Sequence, residues 1–382
     1  MMDKKDFVSG NYRVCTRCIM DTTDPAIEFD EKGVCNHCRY FDNVQKKQML
    51  DGEESRRRLD EIIEAIKKDS GNSEYDCIIG LSGGVDSTYV AFKVVELGLR
   101  PLAMHFDSGW NSELAVSNIE NIVKKLDIDL VTFVVDWEEM RDLQLSFFKA
   151  SVANCDIPQD HAFLAALYKT AVKNNIRYIV SGNNIATESV LPEAWGYSSR
   201  DLRHLEGIQK KFGKLKLKKF PRYNIFEYMI YYPYIKGIKV IQILNYLSYI
   251  KAEAKETITR ELGWRDYGGK HCESVFTKFF QSYYLPVKFG YDKRKAHLSS
   301  LILSGQITRE DALEEMRQEI YPSGRLKEDK EFVIKKLGIT EKEFEGIMAL
   351  PSRTFCDSPS NYRLFLLPAV IGRFLRKMGL LS

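Results

Sequence analysis

Between residues 53 and 68 the apolar positions Leu59, Ile62, Ile63 and Ile66 recur at helical spacing, and Gly71 follows as a stop. A regular alternation then begins. Residues 75–81, apolar after Asp76, read as a buried strand, and residues 87–97 as a helix closed by Gly98. Residues 101–106 read as a strand. Residues 112–126 read as a helix with Ser112 as N-cap and Val116, Ile119, Ile122, Val123 and Leu126 facing inward. A strand at 130–135, a helix at 159–173 and a strand at 177–181 complete the series. Strands alternating with helices demand crossover connections, so the fold class is α/β with a parallel sheet covered on both faces. In such sheets ligands bind outside the carboxyl ends of the strands, which directs attention to the loops 82–87, 107–111 and 182–189.

After Pro192 the pattern changes. Residues 210–222 carry six lysines and Arg222, a run that reads first as a solvated loop. Residues 223–250 are crowded with tyrosines, among them Tyr228, Tyr231, Tyr232, Tyr234, Tyr246 and Tyr249. From about 271 onward the segments read as helices broken at Gly305, Pro322, Gly338 and Pro351. Residues 362–381 are apolar on most of their circumference, which points to packing within the chain or against another protein rather than to a membrane surface.

Composition changes this picture little. Of 382 residues, 44% are hydrophobic and 29% charged, enough apolar surface for a soluble protein of two or three units. A net charge of +3 gives no basis for a nucleic-acid partner. No apolar run reaches the roughly 18 residues of a membrane span, and Met1–Asp6 lacks a signal-peptide pattern, so a cytoplasmic location is expected. Thiols stay reduced there, and the eight cysteines read as ligands, core residues or catalytic groups rather than disulfides.

The loop Ser82-Gly83-Gly84-Val85-Asp86-Ser87 follows the first strand and opens the first helix of the sheet. Two glycines permit close backbone approach, the helix N-terminus suits an anion, the two serines add donors, and Asp86 is a candidate ligand for Mg²⁺ beside phosphates. Gly80-x-Ser82-x-Gly84 also satisfies the nucleophile elbow of hydrolases, but no oxyanion segment precedes it. A Walker loop near Gly268-Gly269-Lys270 fails on spacing, with His271 where Ser or Thr is required.

Cys15-x-x-Cys18 and Cys35-x-x-Cys38 are separated by 16 residues, the spacing of a tetrahedral Cys₄ zinc site that would support a segment too small for its own core. An iron–sulfur cluster is the alternative. His37 lies between two ligands as a supporting or exposed residue. Cys77, Cys155, Cys272 and Cys356 form no pair and read as small buried hydrophobes.

SGGVDS at 82–87 resembles the pyrophosphate loop of the PP-loop ATP pyrophosphatase superfamily. That resemblance implies that Ser82, Gly83, Gly84, Asp86 and Ser87 hold the β- and γ-phosphates and Mg²⁺. It places His105, Phe106 and Asp107 beside the adenosine, with Gly182, Asn183 and Asn184 facing the same nucleotide. From the residues alone, His105 is equally a core histidine and Asn183-Asn184 equally a turn. Further on, Lys270-His271-x-Glu273, Lys278-Phe279-Phe280-Gln281, Lys288-Phe289-Gly290 and Asp292-Lys293-Arg294-x-x-His297-Leu298-Ser299 mix donors with aromatic residues. With the paired CxxC, the loop, and His105-Phe106-Asp107 followed by Gly109-Trp110-Asn111, this block resembles the bacterial N-acetyl sugar amidotransferases of the WbpG and PseA kind over nearly the whole chain.

The resemblance implies an ATP-dependent amidotransferase acting on a nucleotide-linked N-acetyl sugar in surface-polysaccharide (O-antigen, lipopolysaccharide) or nonulosonate synthesis. The acetyl oxygen would be adenylated and then replaced by ammonia to give an acetamidino group. Asp86, Lys270, His271 and Lys278 are the catalytic candidates; Glu273, Lys293 and Arg294 are the substrate-binding candidates. Met2 stands where an N-terminal-nucleophile glutaminase needs cysteine, so ammonia is expected from partners similar to the histidine-pathway glutaminase and its cyclase, with the tyrosine-rich stretch as a candidate docking surface. The expected units are a Cys₄ zinc ribbon at 1–50, a PP-loop α/β domain at 51–265 and a mainly helical substrate or interface region at 266–382. Oligomeric state stays open, a homo-oligomer included. The competing readings are a tRNA thiolase and a non-catalytic zinc-ribbon adaptor.

Overall fold

The computed structural model describes residues 12–269, 273–321 and 323–365. Its centre is a five-stranded parallel sheet formed by β1 (Cys77–Gly80), β2 (Pro101–Asp107), β3 (Leu130–Val134), β4 (Tyr178–Ser181) and β5 (Lys239–Gln242). The order across the sheet is β3-β2-β1-β4-β5, every pair parallel. The chain therefore moves outward from β1 to β3, then returns to the other side of β1. That reversal lies between β1 and β4, and a parallel sheet opens a crevice at such a point.

Among the described residues the α-helices of nine or more residues are α1 (Gly52–Ser70), α2 (Val85–Glu96), α3 (Glu113–Leu126), α4 (Trp137–Ala150), α5 (Ile157–Lys173), α6 (Leu202–Phe212), α7 (Lys251–Leu262), α8 (Lys293–Leu303), α9 (Arg309–Arg317), α10 (Ser323–Leu337) and α11 (Glu341–Ala349). The expected caps are in place. The Ser112 hydroxyl accepts from Ala115 N at 3.1 Å, and α1 stops at Gly71, whose φ is +52°. A cap of this kind contributes about 1 kcal/mol.

Side chains alternate across the sheet as the two-residue strand period requires. Ile78, Leu102, Met104, Phe106 and Ile179 enter one core, while Cys77, Ile79, Ala103, Tyr178 and Val180 enter the other. The first core is shared with the C-terminal helices through Phe276, Phe279, Phe280, Val333, Leu337 and Phe344. The sheet is covered on both faces at its centre and not at its edges: Val134 on β3 and Val240 on β5 are exposed. Four of these elements lie outside the sequence-based series: helix α4 fills the interval before residue 159, helices α6 and α7 form between residues 182 and 271, and β5 forms within the tyrosine-rich stretch. Val116, expected to face inward on α3, is exposed. Most tyrosines of 223–250 are packed rather than displayed. Tyr223, Tyr232 and Tyr249 are buried, Tyr232 stacks on Tyr168 at 4.4 Å, and of the six tyrosines singled out only Tyr234 is exposed. No helix among the described residues is long and apolar enough to cross a membrane.

Candidate active site

The loop after β1 is shaped by close contacts that exclude side chains. A Cβ on Gly80 would meet the Phe163 ring at 2.5 Å. Gly83 has φ +83°, and a Cβ there would lie 2.8 Å from the Tyr267 hydroxyl. Its carbonyl accepts from Trp264 Nε1 at 2.7 Å and from Tyr267 Oη at 2.9 Å, so the peptide is pinned from the segment after α7. The two serine hydroxyls lie 3.1 Å apart. Gly84 N donates to Ser82 Oγ at 3.2 Å, and Ser87 Oγ donates to Gly84 O at 3.2 Å. Helix α2 begins at Val85, so hydroxyls and N–H groups gather at the positive end of its dipole. Asp86 sits in the first turn and accepts from the Tyr249 hydroxyl. Burial, together with that carboxylate, pushes the Tyr249 phenol well above its usual range, so the phenol remains a donor. Ser82 bonds Ser87 and Gly84 rather than a histidine, which removes the basis for a hydrolase dyad.

The end of β4 meets this loop. A Cβ on Gly182 would stand 3.2 Å from Ser87 N, so the reversal between β1 and β4 brings the two segments into contact. Gly182 and Asn183 line the crevice. Asn184 is buried and spends its side chain on the next turn, accepting from Thr187 N at 2.9 Å and donating to Gly182 O at 3.1 Å. From β2, His105 and Phe106 line the same crevice. His105 Nδ1 faces Leu81 O at 3.0 Å and Nε2 faces Asn111 Nδ2 at 3.0 Å, an arrangement met by a neutral ring protonated on Nδ1. Asp107 holds the following turn through Gly109 N at 2.8 Å and Asn111 Nδ2 at 3.2 Å.

The crevice opens into a cavity of about 1870 Å³, beyond the ~300–1,000 Å³ of a typical single-ligand pocket. Its far wall comes from residues 273–325. A Cβ on Gly84 would be 3.3 Å from Glu273 Oε1, so this wall closes on the 82–87 loop directly. Lys278 bonds Asp329 at 2.8 Å and stands over the Tyr321 ring. Arg294 holds Asp292 through two nitrogens, with Nη2 at 2.8 Å from Oδ2, and donates to Gln318 O at 2.9 Å. Lys293 lies over Phe280. All four line the cavity together with Asp156, a buried carboxyl that the sequence did not mark. Trp264 and Tyr267 were also unmarked, with the aromatic pair just before Gly268-Gly269 as the available signal; Tyr249 was marked only among the docking-surface tyrosines. Lys270, His271 and Cys272 lie outside the described residues, as does the chain beyond residue 365.

Cys15, Cys18, Cys35 and Cys38 are fully buried, with all four Sγ atoms within 4.8 Å of one another. Individual separations are 3.8 Å (Cys15–Cys38), 3.6 Å (Cys18–Cys35) and 3.5 Å (Cys35–Cys38). Thiolates ~2.3 Å from a shared tetrahedral ion stand about 3.8 Å apart, so the set fits one ion such as zinc. Cys35 N and Arg17 N point at Cys15 Sγ, as N–H groups do toward a thiolate. His37 bonds Asp24 at 2.7 Å. The module docks on the far wall: Arg309 donates to the carbonyls of Cys18 and Cys15, Lys295 pairs with Asp21, and Ser299 Oγ accepts from Ile19 N. Helix α8 thus carries contacts to the Cys₄ module as well as cavity residues. Of the remaining cysteines, Cys77 and Cys155 are buried and Cys356, expected to be buried, is exposed. No cysteine among the described residues lines the cavity.

No curated protein matches the chain. Among solved structures it is similar to NMN synthetase from Francisella tularensis, with 15% identity, TM-score 0.29, 54% of this chain and 95% of that one covered. It is similar to NH₃-dependent NAD synthetase from Campylobacter jejuni at 14% identity and TM-score 0.29, over 56% of this chain and 95% of that one. It is similar to U34-tRNA thiolase NcsA from Methanococcus maripaludis, solved with its [4Fe–4S] cluster, at 13% identity and TM-score 0.34, over 81% and 91%. Residues 273–367 match the family described as "LPS biosynthesis protein WbpG-like, C-terminal domain". Glu273, Lys278, Lys293 and Arg294, on the wall that faces the 82–87 loop, all fall inside that match.

Proposed function

We propose that this chain is an AMP- and pyrophosphate-forming amidotransferase that converts the N-acetyl group of a nucleotide-linked sugar into an acetamidino group, serving surface-polysaccharide or nonulosonate synthesis. The observation that carries the reading is the shared cavity: the phosphate loop at 82–87 and the WbpG-like wall face each other across it, with Glu273 against Gly84. Its volume suits two large ligands at once.

In this reading the loop N–H groups, Ser82 and Ser87 take the pyrophosphate of ATP. Asp86, steadied by Tyr249, would hold Mg²⁺, which supplies charge neutralisation along the phosphates. An amide oxygen is a weak nucleophile and an amide a poor acceptor, because resonance stabilises it. Transfer of AMP onto that oxygen creates a leaving group that ammonia can displace. The chain's task is to hold the oxygen in line with the α-phosphate and to balance charge there. Lys278 is the described cation assigned to that task, with Lys270 and His271 beside it in sequence; Lys293 and Arg294 are assigned to the anionic groups of the sugar nucleotide. The Cys₄ site is assigned a structural zinc ion. Ammonia is assigned to a partner glutaminase, since an adenylated amide open to water reverts to the amide and consumes ATP without product.

The test is incubation with ATP, ammonium and a panel of UDP- and CMP-linked N-acetyl sugars. Expected are AMP, pyrophosphate and, by mass spectrometry, a sugar whose acetyl oxygen has been exchanged for nitrogen. Products of ADP and phosphate would overturn the mechanism.

A further inference from the structure

We propose that Asp156 is the base that removes a proton from the attacking nitrogen when ammonia displaces AMP, a role that rests on the amidine-forming reading above. Asp156 is the residue before α5, a position where aspartate ordinarily caps the helix. Here its side chain makes no capping bond, and its own N–H is received by Asn154 Oδ1 at 3.2 Å. The carboxyl lines the cavity instead while remaining only 7% exposed. Four groups face it from the WbpG-like wall. Thr277 donates its hydroxyl to Oδ1 at 3.4 Å, and the Gln281 side chain also hydrogen-bonds it. The Lys293 ammonium and the Glu273 carboxylate act on it through their charges. Glu273 in turn touches Gly84, so Asp156 is tied to the phosphate loop through one residue.

The chemistry requires a base at that point. After adenylation the acceptor is R–NH⁺=C(O–AMP)–CH₃. Ammonia adds through its lone pair and forms a new C–N bond, giving R–NH–C(NH₃⁺)(O–AMP)–CH₃. In that state ammonia is the better leaving group and the adduct reverts. Transfer of one proton from the new nitrogen to a carboxylate leaves an NH₂ group whose lone pair expels AMP, and the product is the amidinium R–NH–C(=NH₂⁺)–CH₃. The carboxylic acid then returns its proton to solvent. No other reactant is needed. Burial pushes the Asp156 carboxyl up to about 6, against Lys293, Thr277 and Gln281, which pull it down; Glu273 adds to the rise. A base in that range accepts a proton readily and is regenerated near neutral pH.

The experiment separates the half-reactions. Exchange of labelled pyrophosphate into ATP reports adenylation alone; amidine formation at a fixed concentration of free NH₃ reports the second step. For Asp156→Asn we expect sugar-dependent exchange within a few-fold of wild type and amidine formation lower by about 10²-fold or more. In the wild type, amidine formation at fixed NH₃ falls as pH drops through the Asp156 range, and this limb disappears in the variant. Lys293→Met, which removes the cation favouring the carboxylate, moves the limb to higher pH and gives an independent answer if Asp156→Asn does not fold. Parallel loss of exchange and amidine formation, or an unchanged acid limb in Asp156→Asn, overturns the proposal while leaving the amidotransferase reading intact. A wild type that forms no amidine on any N-acetyl sugar nucleotide overturns both.

Discussion

At the β1 end of the cavity the loop is formed by backbone and two hydroxyls, with Gly80, Gly83 and Gly182 at positions where no Cβ fits without displacement. At the other end they are long side chains already tied in pairs, Lys278 with Asp329 and Arg294 with Asp292. The first end is rigid because backbone geometry defines it, and single atoms decide whether it forms. The second is held by interactions from residues scattered over 273–329, so each contributes less and can be exchanged when an anion arrives. The difference teaches where substitution is tolerated: steeply limited at the loop, graded at the wall.

The sharpest test of that contrast is Asp86→Asn. Pyrophosphate release is expected to fall on the order of 10³-fold, as when a preorganised charge is removed from a transition state, with the thermal midpoint near wild type. Substantial retained turnover would remove the distinction between the two ends.

Next in size is Cys18→Ser. Metal analysis is expected to show loss of the single bound ion, and limited proteolysis to cut within residues 12–40 while the sheet stays protected, since metal binding supplies the folding energy of such modules. Because Arg309 and Lys295 anchor the module to the far wall, KM for the sugar nucleotide should rise more than KM for ATP.

Away from both ends, helices α5 and α6 carry an acid sensitivity. His161 and His204 are buried, and burial pushes each imidazole down to about 4 from 6.5. His161 Nδ1 is held by Ser199 O at 2.7 Å, beside the cavity-lining segment 196–200. With folded values below unfolded ones, the unfolded chain binds protons first. The stability contribution is complete above pH 6.5 and is lost as pH falls toward 4, by up to ~3 kcal/mol for each ring. Denaturant titrations from pH 7.5 to 4.5 should show this slope, and His204→Leu should flatten part of it.

Gly83→Ala should cost about 1–3 kcal/mol, from a positive φ and a Cβ against Tyr267, and weaken ATP binding roughly tenfold. Gly346→Ala is the control. That glycine lies within α11 with nothing near an added Cβ, so calorimetry should show a gain of about 0.5–1 kcal/mol. Among the wall residues a modest effect is expected for Arg294→Lys. It loses the paired grip on Asp292, and KM for the sugar nucleotide should rise roughly tenfold or less, the worth of about 1.4 kcal/mol, with kcat little changed.

How legible these parts were in the sequence follows the same physics. Strands β1, β2 and β4 are mainly apolar runs because both faces of the central sheet are buried, so composition marks them. β5 is four residues, Lys239–Gln242, with three of them exposed, and only its pairing with β4 makes it a strand. Helix α4 begins at an Asp136 cap and buries Met140, Leu143, Phe147 and Phe148, a pattern that lay in an interval assigned no element. Tyrosines offered as a docking surface proved mostly to be packing, because a phenol ring buries as well as it displays.

The amino-acid sequence by itself marked the glycine-rich loop at 82–87 and the Cys₄ set, because each is a short local device whose chemistry depends on residue type at fixed spacing. Only the tertiary structure decided that Gly182 closes on Ser87, that Trp264 and Tyr267 hold Gly83 and that Asp156 faces the cavity rather than its own helix. These contacts join residues far apart in the chain. Burial and chain reversal bring them together, and neither is written in local spacing.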